Sequence, residues 1–206
     1  TGREIGANEK GVLAVVPPLP PGCMSTVWGQ DERFVQTYFT SFKDDQLYTT
    51  FDWGIRDADG YYFILGRTDD VINVAGHRLG TREIEEAVSA HANIAEVAVV
   101  GVYDALRGQV PMAFAVVKDA STVATADGRR AMEKEVFDTV DKALGAIGRP
   151  ARVHFITLLP KTRSGKVLRR SIQAIAEGRD PGDLTTLDDP AGIEQIRAAI
   201  AAMQST

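Results

Sequence analysis

Short apolar runs broken by turn residues dominate the first third of the chain. "GVLAVV" (Gly11–Val16) reads as a strand, and the "PPLPPG" that follows cannot supply ladder donors and ends it. "YTTFDWGIR" and "YYFIL" are rich in aromatic and β-branched residues and flank Asp57-Ala58-Asp59-Gly60, which predicts a hairpin with an Asp-Gly turn. Residues 1–66 therefore read as strands and turns. Beyond Arg67 the pattern alternates between strand and helix. "VINVAGHRLG" predicts a short hairpin that breaks at Gly76. Thr81 is the expected N-cap of "REIEEAVSAH", whose Ile84, Ala87 and Val88 recur at helical spacing, with Glu83 and Glu85 near the positive end. "IAEVAVVGVYD" and "PMAFAVVKD" read as buried strands. "RAMEKEVFDTVDKALGAI" is an amphipathic helix with Met132, Val136, Val140 and Leu144 on one side. "RPARVHFITLLP" is a further strand ending at Pro160, and "KVLRRSIQAIAEG" a helix stopped by Gly178. The tail carries four aspartates before a last helix.

These elements predict an α/β (α+β) fold. A β-rich piece spans residues 1–66, a polar link and hinge spans 67–71, and a small domain of strands and helices with a C-terminal extension spans 72–206. Composition narrows the function classes. With 44% hydrophobic and 25% charged residues over 206 positions the chain is ordinary globular matter. A net charge of −5 argues against a dedicated nucleic-acid binder. Cys23 stands alone, so no disulfide frame or thiolate metal site is expected, and a reducing, cytoplasmic location fits. The longest apolar runs are too short and too interrupted to span a bilayer, and no signal peptide is expected. The absence of an initiator methionine and the immediate entry into a strand pattern suggest a fragment.

Three stretches carry candidate chemistry. "LPKTRSGKVLRR" (Leu159–Arg170) is strongly cationic in an acidic chain. Its Ser164-Gly165-Lys166 lacks the phosphate-loop spacing, and Val167 replaces the hydroxyl, so that motif is rejected. What remains is a mobile, Gly-hinged loop carrying the Lys166 ammonium at its tip, a point charge suited to phosphate or carboxylate; the alternative is a solvated start to a basic helix. Asp52 lies among apolar strand residues, where an unpaired carboxylate is costly, so partners are expected: a ribose diol or turn amides. Arg67 follows Gly66 and reaches either a shared ligand or Asp69 and Asp70. Gly76 and Gly80 bracket His77-Arg78-Leu79, which permits close backbone approach or a simple tight hairpin. His77, His91 and His154 are too scattered for a metal site, and none is expected.

In order and combination, "YTTFD", "GRTDDVINVAGHRLGTREIEE" and "LPKTRSGKVLRR" resemble the closing motifs of the adenylate-forming acyl-CoA synthetases. "GCMSTVWG" and "GRDPGDLTTLDDPA" are most similar to the acetate- and propionate-activating members, and the resemblance covers essentially the whole chain. It implies an AMP-forming acid–thiol ligase that joins a short-chain acid such as propionate to CoA. ATP and Mg²⁺ are consumed through an acyl-adenylate, with AMP and pyrophosphate released. Carried over, Lys166 is the adenylation lysine and Asp69 the hinge about which the C-terminal domain turns. Asp52 holds the ribose hydroxyls, Arg67 supports the nucleotide, Arg78 lies near the AMP phosphate, and Gly76 lines the CoA tunnel. The resemblance also implies acyltransferase and deacylase partners acting on Lys166.

Two departures stand out: Phe51 replaces the usual glycine before the ribose aspartate, and Asp141-Lys142 replaces an arginine that contacts the CoA 3′-phosphate. The family's Gly-rich ATP loop and acyl pocket precede Thr1, so the chain alone is expected to be inactive and to bind no cofactor tightly. The alternatives are another adenylating ligase, for acetate or for other acyl or aryl acids, and a non-catalytic α/β binding module.

Overall fold

The computed structural model describes residues 2–42 and 45–204, apart from the side chains of Asp69, Met203 and Gln204. The chain divides into two units between Asp69 and Asp70. In the first unit, Lys10–Val15 (β1), Tyr48–Arg56 (β2) and Tyr62–Arg67 (β3) form an antiparallel sheet in that order. The β2–β3 turn is set by Asp57, whose Oδ1 accepts from the amides of Asp59 (3.0 Å) and Tyr61 (2.8 Å).

The reading of residues 1–66 as strands and turns alone needs correction, because Asp31–Tyr38 forms a helix (α1). Asp31 and Glu32 favour its positive end. Phe34 and Tyr38, one helical turn apart, face the same way, and Tyr38 stacks on Tyr48 of β2 with ring centroids 4.9 Å apart. Among the described residues of this unit, Phe34 is the one buried apolar side chain.

The second unit is a five-stranded sheet: Val71–Val74 (β4), His77–Gly80 (β5), Ile94–Asp104 (β6), Gly108–Val117 (β7) and Arg152–Ile156 (β8). Its path runs β5-β4-β7-β6, with β8 pairing β7 in parallel and the other pairs antiparallel. Asp104 closes the β6–β7 hairpin, accepting from the amides of Leu106 and Arg107, and these bonds hold its carboxyl below the usual range. Four helices cover the sheet: Thr81–Ser89 (α2), Ala126–Leu144 (α3), Arg169–Ala176 (α4) and Ala191–Gln204 (α5).

Period-two alternation along β6 and β7 sends side chains into two cores. Val99, Ala113 and Ala115 join Ile84, Val88, Val136 and Val140 from α2 and α3. Ala98, Val100, Met112 and Phe114 join Ile172, Ile175 and Ile196 from α4 and α5. Helices on both faces explain why these strands read as almost unbroken apolar runs. The expected mixed α/β class holds. Among the described residues, no helix is long and apolar enough to cross a membrane.

Two boundaries differ from expectation. Thr81 is not the N-cap of α2. Gly80 still pairs with Val71 of β4 and stays extended (φ −71°, ψ 135°), so Thr81 is drawn into the first helical turn and buried. The helix expected from Lys166 starts at Arg169, because Val167 pairs back onto Lys161 and the Leu168 amide donates to the Pro160 carbonyl (3.0 Å).

His154 on β8 stacks on Phe114 (5.1 Å), and its buried Nε2 has no hydrogen-bond partner among the described residues. Burial, then the charge of Arg152, pushes its pKa from 6.5 down to about 4. Below pH 6.5 the unfolded chain therefore takes up a proton that the folded chain refuses until about pH 4. Its contribution is complete above pH 6.5 and falls as pH drops through that window, by up to about 3 kcal/mol. Urea unfolding at pH 7 and pH 4.5 should show a steeper loss for the native sequence than for His154→Leu; equal losses contradict the assignment.

Candidate functional site

The cationic segment folds as a small hairpin rather than as a loop with Lys166 at its tip. Lys161 and Val167 form an antiparallel bridge, and the Gly165 amide closes the turn onto the Thr162 carbonyl (2.8 Å), with Gly165 at φ +81°. Arg163 and Ser164 occupy the tip, and Lys166 lies on the return arm. Thr162 grips Lys166 from both sides. Its amide donates to the Lys166 carbonyl (2.8 Å), and its Oγ1 accepts from the Lys166 amide (3.1 Å). The Lys166 side chain is exposed and makes no ion pair among the described residues. The neighbouring Lys161 is occupied, with its Nζ 2.7 Å from a Glu96 carboxylate oxygen on β6.

Arg169, three residues on, ties this hairpin to the core. Its Nε and Nη2 donate to the two Glu85 oxygens (3.1 and 2.7 Å). Glu85 Oε1 also accepts from the Val99 amide on β6 (2.9 Å). Burial works against the Arg169 charge, but hydrogen bonding and charge from Glu85, with the Asp70 charge, outweigh it and raise the guanidinium pKa. The sequence reading named Glu85 only as an acid near the positive end of α2, and it missed Thr162. The available signal for Glu85 was an ionisable residue on a short helix whose apolar face must be covered.

The β4–β5 turn carries two more candidates. Ala75 (φ +49°) and Gly76 (φ +89°) are both left-handed, the pattern of a tight hairpin turn that glycine adopts without penalty. A Cβ at Gly76 would meet nothing within 4 Å, so the local demand here is on backbone conformation and not on space. The turn is anchored by Ala75 N–H donating to the Arg107 carbonyl (2.8 Å). Arg78 is exposed opposite Asn73, with no ion pair among the described residues. Gly76 and Arg78 thus sit on one hairpin of the second unit, and Lys166 on another.

In the first unit, Asp52 and Arg67 are directly opposed on β2 and β3, beside a bulge at Trp53/Gly54. Phe51 takes φ +62°, the left-handed conformation that a glycine would adopt freely. Hydroxyls brace it: Thr68 Oγ1 donates to its carbonyl (3.2 Å), and Thr50 Oγ1 accepts from the Asp52 amide (3.1 Å). The Phe51 ring is not idle, since the Arg67 guanidinium lies 5.7 Å from its centroid.

Of the partners expected for the Asp52 carboxylate, turn amides do not meet it among the described residues. It is half-buried and has no hydrogen-bond partner among the described residues. Asp69 belongs to the single 3₁₀ turn Thr68–Asp70, and its side chain lies outside the described residues. Asp141 on α3 is paired with Arg149 through Nε (2.9 Å) and Nη2, which holds its carboxyl below the usual range. Among the described residues, no cluster of His, Cys, Asp and Glu is arranged to hold a metal ion.

Residues 83–166 match the family described as AMP-binding enzyme C-terminal domain, and the match runs from α2 to Lys166 itself. The matched residues and their flanks are 63% identical to the propionate–CoA ligase of Salmonella typhimurium (strain LT2), over 97% of this chain and 32% of that protein. They are 44% identical to the acetyl-coenzyme A synthetase of Pyrobaculum arsenaticum, over 96% of this chain and 28% of the relative. The chain thus spans about a third of the length of the curated relatives it matches. In structure it is similar to the anthranilate CoA ligase AuaEII solved with anthranoyl-AMP, with a TM-score of 0.69 and 28% identity over 85% of this chain and 32% of that one.

Three stability outcomes follow from this geometry. Glu85→Ala strands Arg169 and the Val99 amide together and should cost about 3 kcal/mol in urea unfolding. Lys134→Ala, which breaks the exposed Lys134–Asp138 pair on α3, should cost under ~0.5 kcal/mol. At position 51, Phe51→Gly should be more stable than Phe51→Ala by about 1 kcal/mol, since both lose the ring and only alanine keeps the left-handed penalty. Equal stability of the two variants excludes that strain.

Proposed function

We propose that this chain is the C-terminal part of an ATP-dependent, AMP-forming acyl-CoA synthetase acting on short-chain acids, with propionate as the favoured substrate. The observation that carries this reading is the Lys166 ammonium: exposed, without an ion pair among the described residues, and mounted on a backbone gripped by Thr162. The likeness to a propionate–CoA ligase over nearly the whole chain supports the choice of acid.

In the first half-reaction a carboxylate oxygen attacks the ATP α-phosphorus. A carbon-bound oxygen–phosphorus bond forms, pyrophosphate leaves, and negative charge builds on the pentavalent phosphorus. A cation presented at that oxygen stabilises the transition state more than the ground state, above all where closure excludes water. Lys166 supplies that cation. In the second half-reaction the CoA sulfur attacks the acyl carbon and AMP leaves, and Lys166 has no part in it. Asp69 is the pivot that exchanges the two poses.

Asp52 accepts the ribose hydroxyls; its half-buried carboxylate, without a hydrogen-bond partner among the described residues, suits a pair of hydroxyl donors. Arg67, held over Phe51, supports the nucleotide, and Arg78 neutralises the AMP phosphate. Gly76 lines the passage of the thiol arm. Mg²⁺ enters as part of the nucleotide substrate. Acyl transfer to Lys166 removes the charge and stops adenylation, and deacylation restores it.

In the full-length protein, Lys166→Ala should slow acid-dependent pyrophosphate exchange by at least ~10²-fold. Thioester formation from supplied acyl-AMP should be largely spared. Equal loss in both half-reactions rejects the role given to the lysine. Absence of AMP release with acetate, propionate and butyrate alike rejects the synthetase reading in favour of a binding module.

A further inference from the structure

The segment from Pro181 to Asp188 lies beyond the family-matched residues, between α4 and α5, and its four neighbouring aspartates suggest an acidic patch. The geometry is different. Asp180, Asp183 and Asp189 each accept, through Oδ1, the amide two residues ahead: Gly182 (2.7 Å), Thr185 (2.9 Å) and Ala191 (2.8 Å). They are successive Asx turns that shape the backbone. The segment is anchored at both ends. Ser171 Oγ, buried on α4, donates to the Pro181 carbonyl (2.9 Å), and Leu184 and Leu187 pack against the core beneath α4 and α5.

The backbone bonds this segment makes to the cationic hairpin fall on consecutive residues. The Arg163 amide donates to the Thr186 carbonyl (3.1 Å) and the Asp188 amide donates to the Lys161 carbonyl (2.9 Å), and these two bonds set Thr162 opposite Leu187. Residues 186–188 therefore bridge 161–163 on one side, as Val167 bridges Lys161 on the other, so the hairpin is bonded along both its edges. Two-stranded hairpins are marginal in water, whereas a third strand with an apolar anchor makes a stable sheet. A second clamp acts at the base. Gly192, in the first turn of α5, lies so close to Pro160 that a Cβ would come within 2.9 Å of its backbone.

We propose that residues 181–188 are a positioning strap for Lys166, an inference that rests on the reading of that lysine as the adenylating cation. The lysine stem has four rotatable bonds, so its reach is only as well defined as the backbone that carries it. Misplacing a catalytic group by about 1 Å costs on the order of 10²-fold in rate. The strap acts through Lys161 and Arg163, whose bonds to it hold Thr162 between them, and Thr162 in turn bonds both backbone groups of Lys166.

The test uses the full-length protein and two strap variants. Asp188→Pro deletes the amide that donates to Lys161, and Leu187→Ala removes the apolar anchor. Amide hydrogen exchange, which needs no turnover, should accelerate at Arg163, Gly165 and Lys166 by at least ~tenfold in either variant, while β6 and β7 keep their protection. Acid-dependent pyrophosphate exchange should fall about tenfold, and thioester formation from supplied acyl-AMP should stay within about twofold of the native rate. Adding either change to Lys166→Ala should cost nothing further, because both act through one group.

Unchanged exchange at the hairpin in both variants overturns the strap. Equal losses in both half-reactions, or additive losses with Lys166→Ala, overturn its action through the lysine. If Lys166→Ala leaves adenylation intact, the underlying reading of the lysine fails instead, and the exchange data separate that outcome from failure of the strap.

Discussion

One carboxylate organises the second unit. Glu85 sits on α2 with 12% of its side chain exposed, and its two oxygens accept from a β6 amide and from an arginine 84 residues further along the chain. A half-buried ion pair of this kind is weak evidence for stability by itself, because desolvation offsets much of the attraction. Its worth here is geometric. The fork of Arg169 fixes both the distance and the angle at which α4 starts, and the hairpin that bears Lys166 ends just before that point. The Val99 amide gives Glu85 a second partner that an apolar replacement would leave unsatisfied.

The same device recurs along β6 and at β8. β6 is an edge strand, and besides Glu85 it is met by Glu177, whose Oε1 accepts the Tyr103 amide (3.2 Å). At β8 the Val153 amide donates to Glu133 of α3 (2.8 Å), and just beyond it Thr157 donates to Gln195 of α5 (2.6 Å). Side chains from four helical regions thus occupy strand amides that would otherwise template another chain. The packing is consistent with this: every helix that supplies an acceptor also buries an apolar face in one of the two cores.

Exposed chemistry stands on these rigid supports. Lys166 is surface-mounted but its backbone is bonded on both sides, and the half-buried Asp52 follows a phenylalanine forced into a glycine-like conformation. Keeping Phe51 there preserves an aromatic face for Arg67 at the cost of local strain. The replacement of an expected glycine therefore leaves the turn in place and changes what surrounds the aspartate. Asp141 shows the opposite outcome: with Arg149 bound to it, the position presents a closed ion pair where the family resemblance implied a free cation.

Local pattern alone determined much of this protein. The strands of both units, the Asp-Gly and Ala-Gly turns, the apolar faces of α2 and α3 and the stop at Gly178 all follow from residues within a turn or two of one another. The closing motifs were legible for the same reason, since each is a contiguous run. Tertiary structure decided what depends on a distant partner. Helix α1 exists because Tyr38 finds Tyr48, and Thr81 is helical because Gly80 is claimed by β4. The start of α4 is delayed because Val167 pairs with Lys161, whose strand in turn pairs with Leu187 and its neighbours. A side chain's hydrogen-bonding needs are visible in sequence, but the amide or carboxylate that meets them is chosen only when folding brings separated segments together.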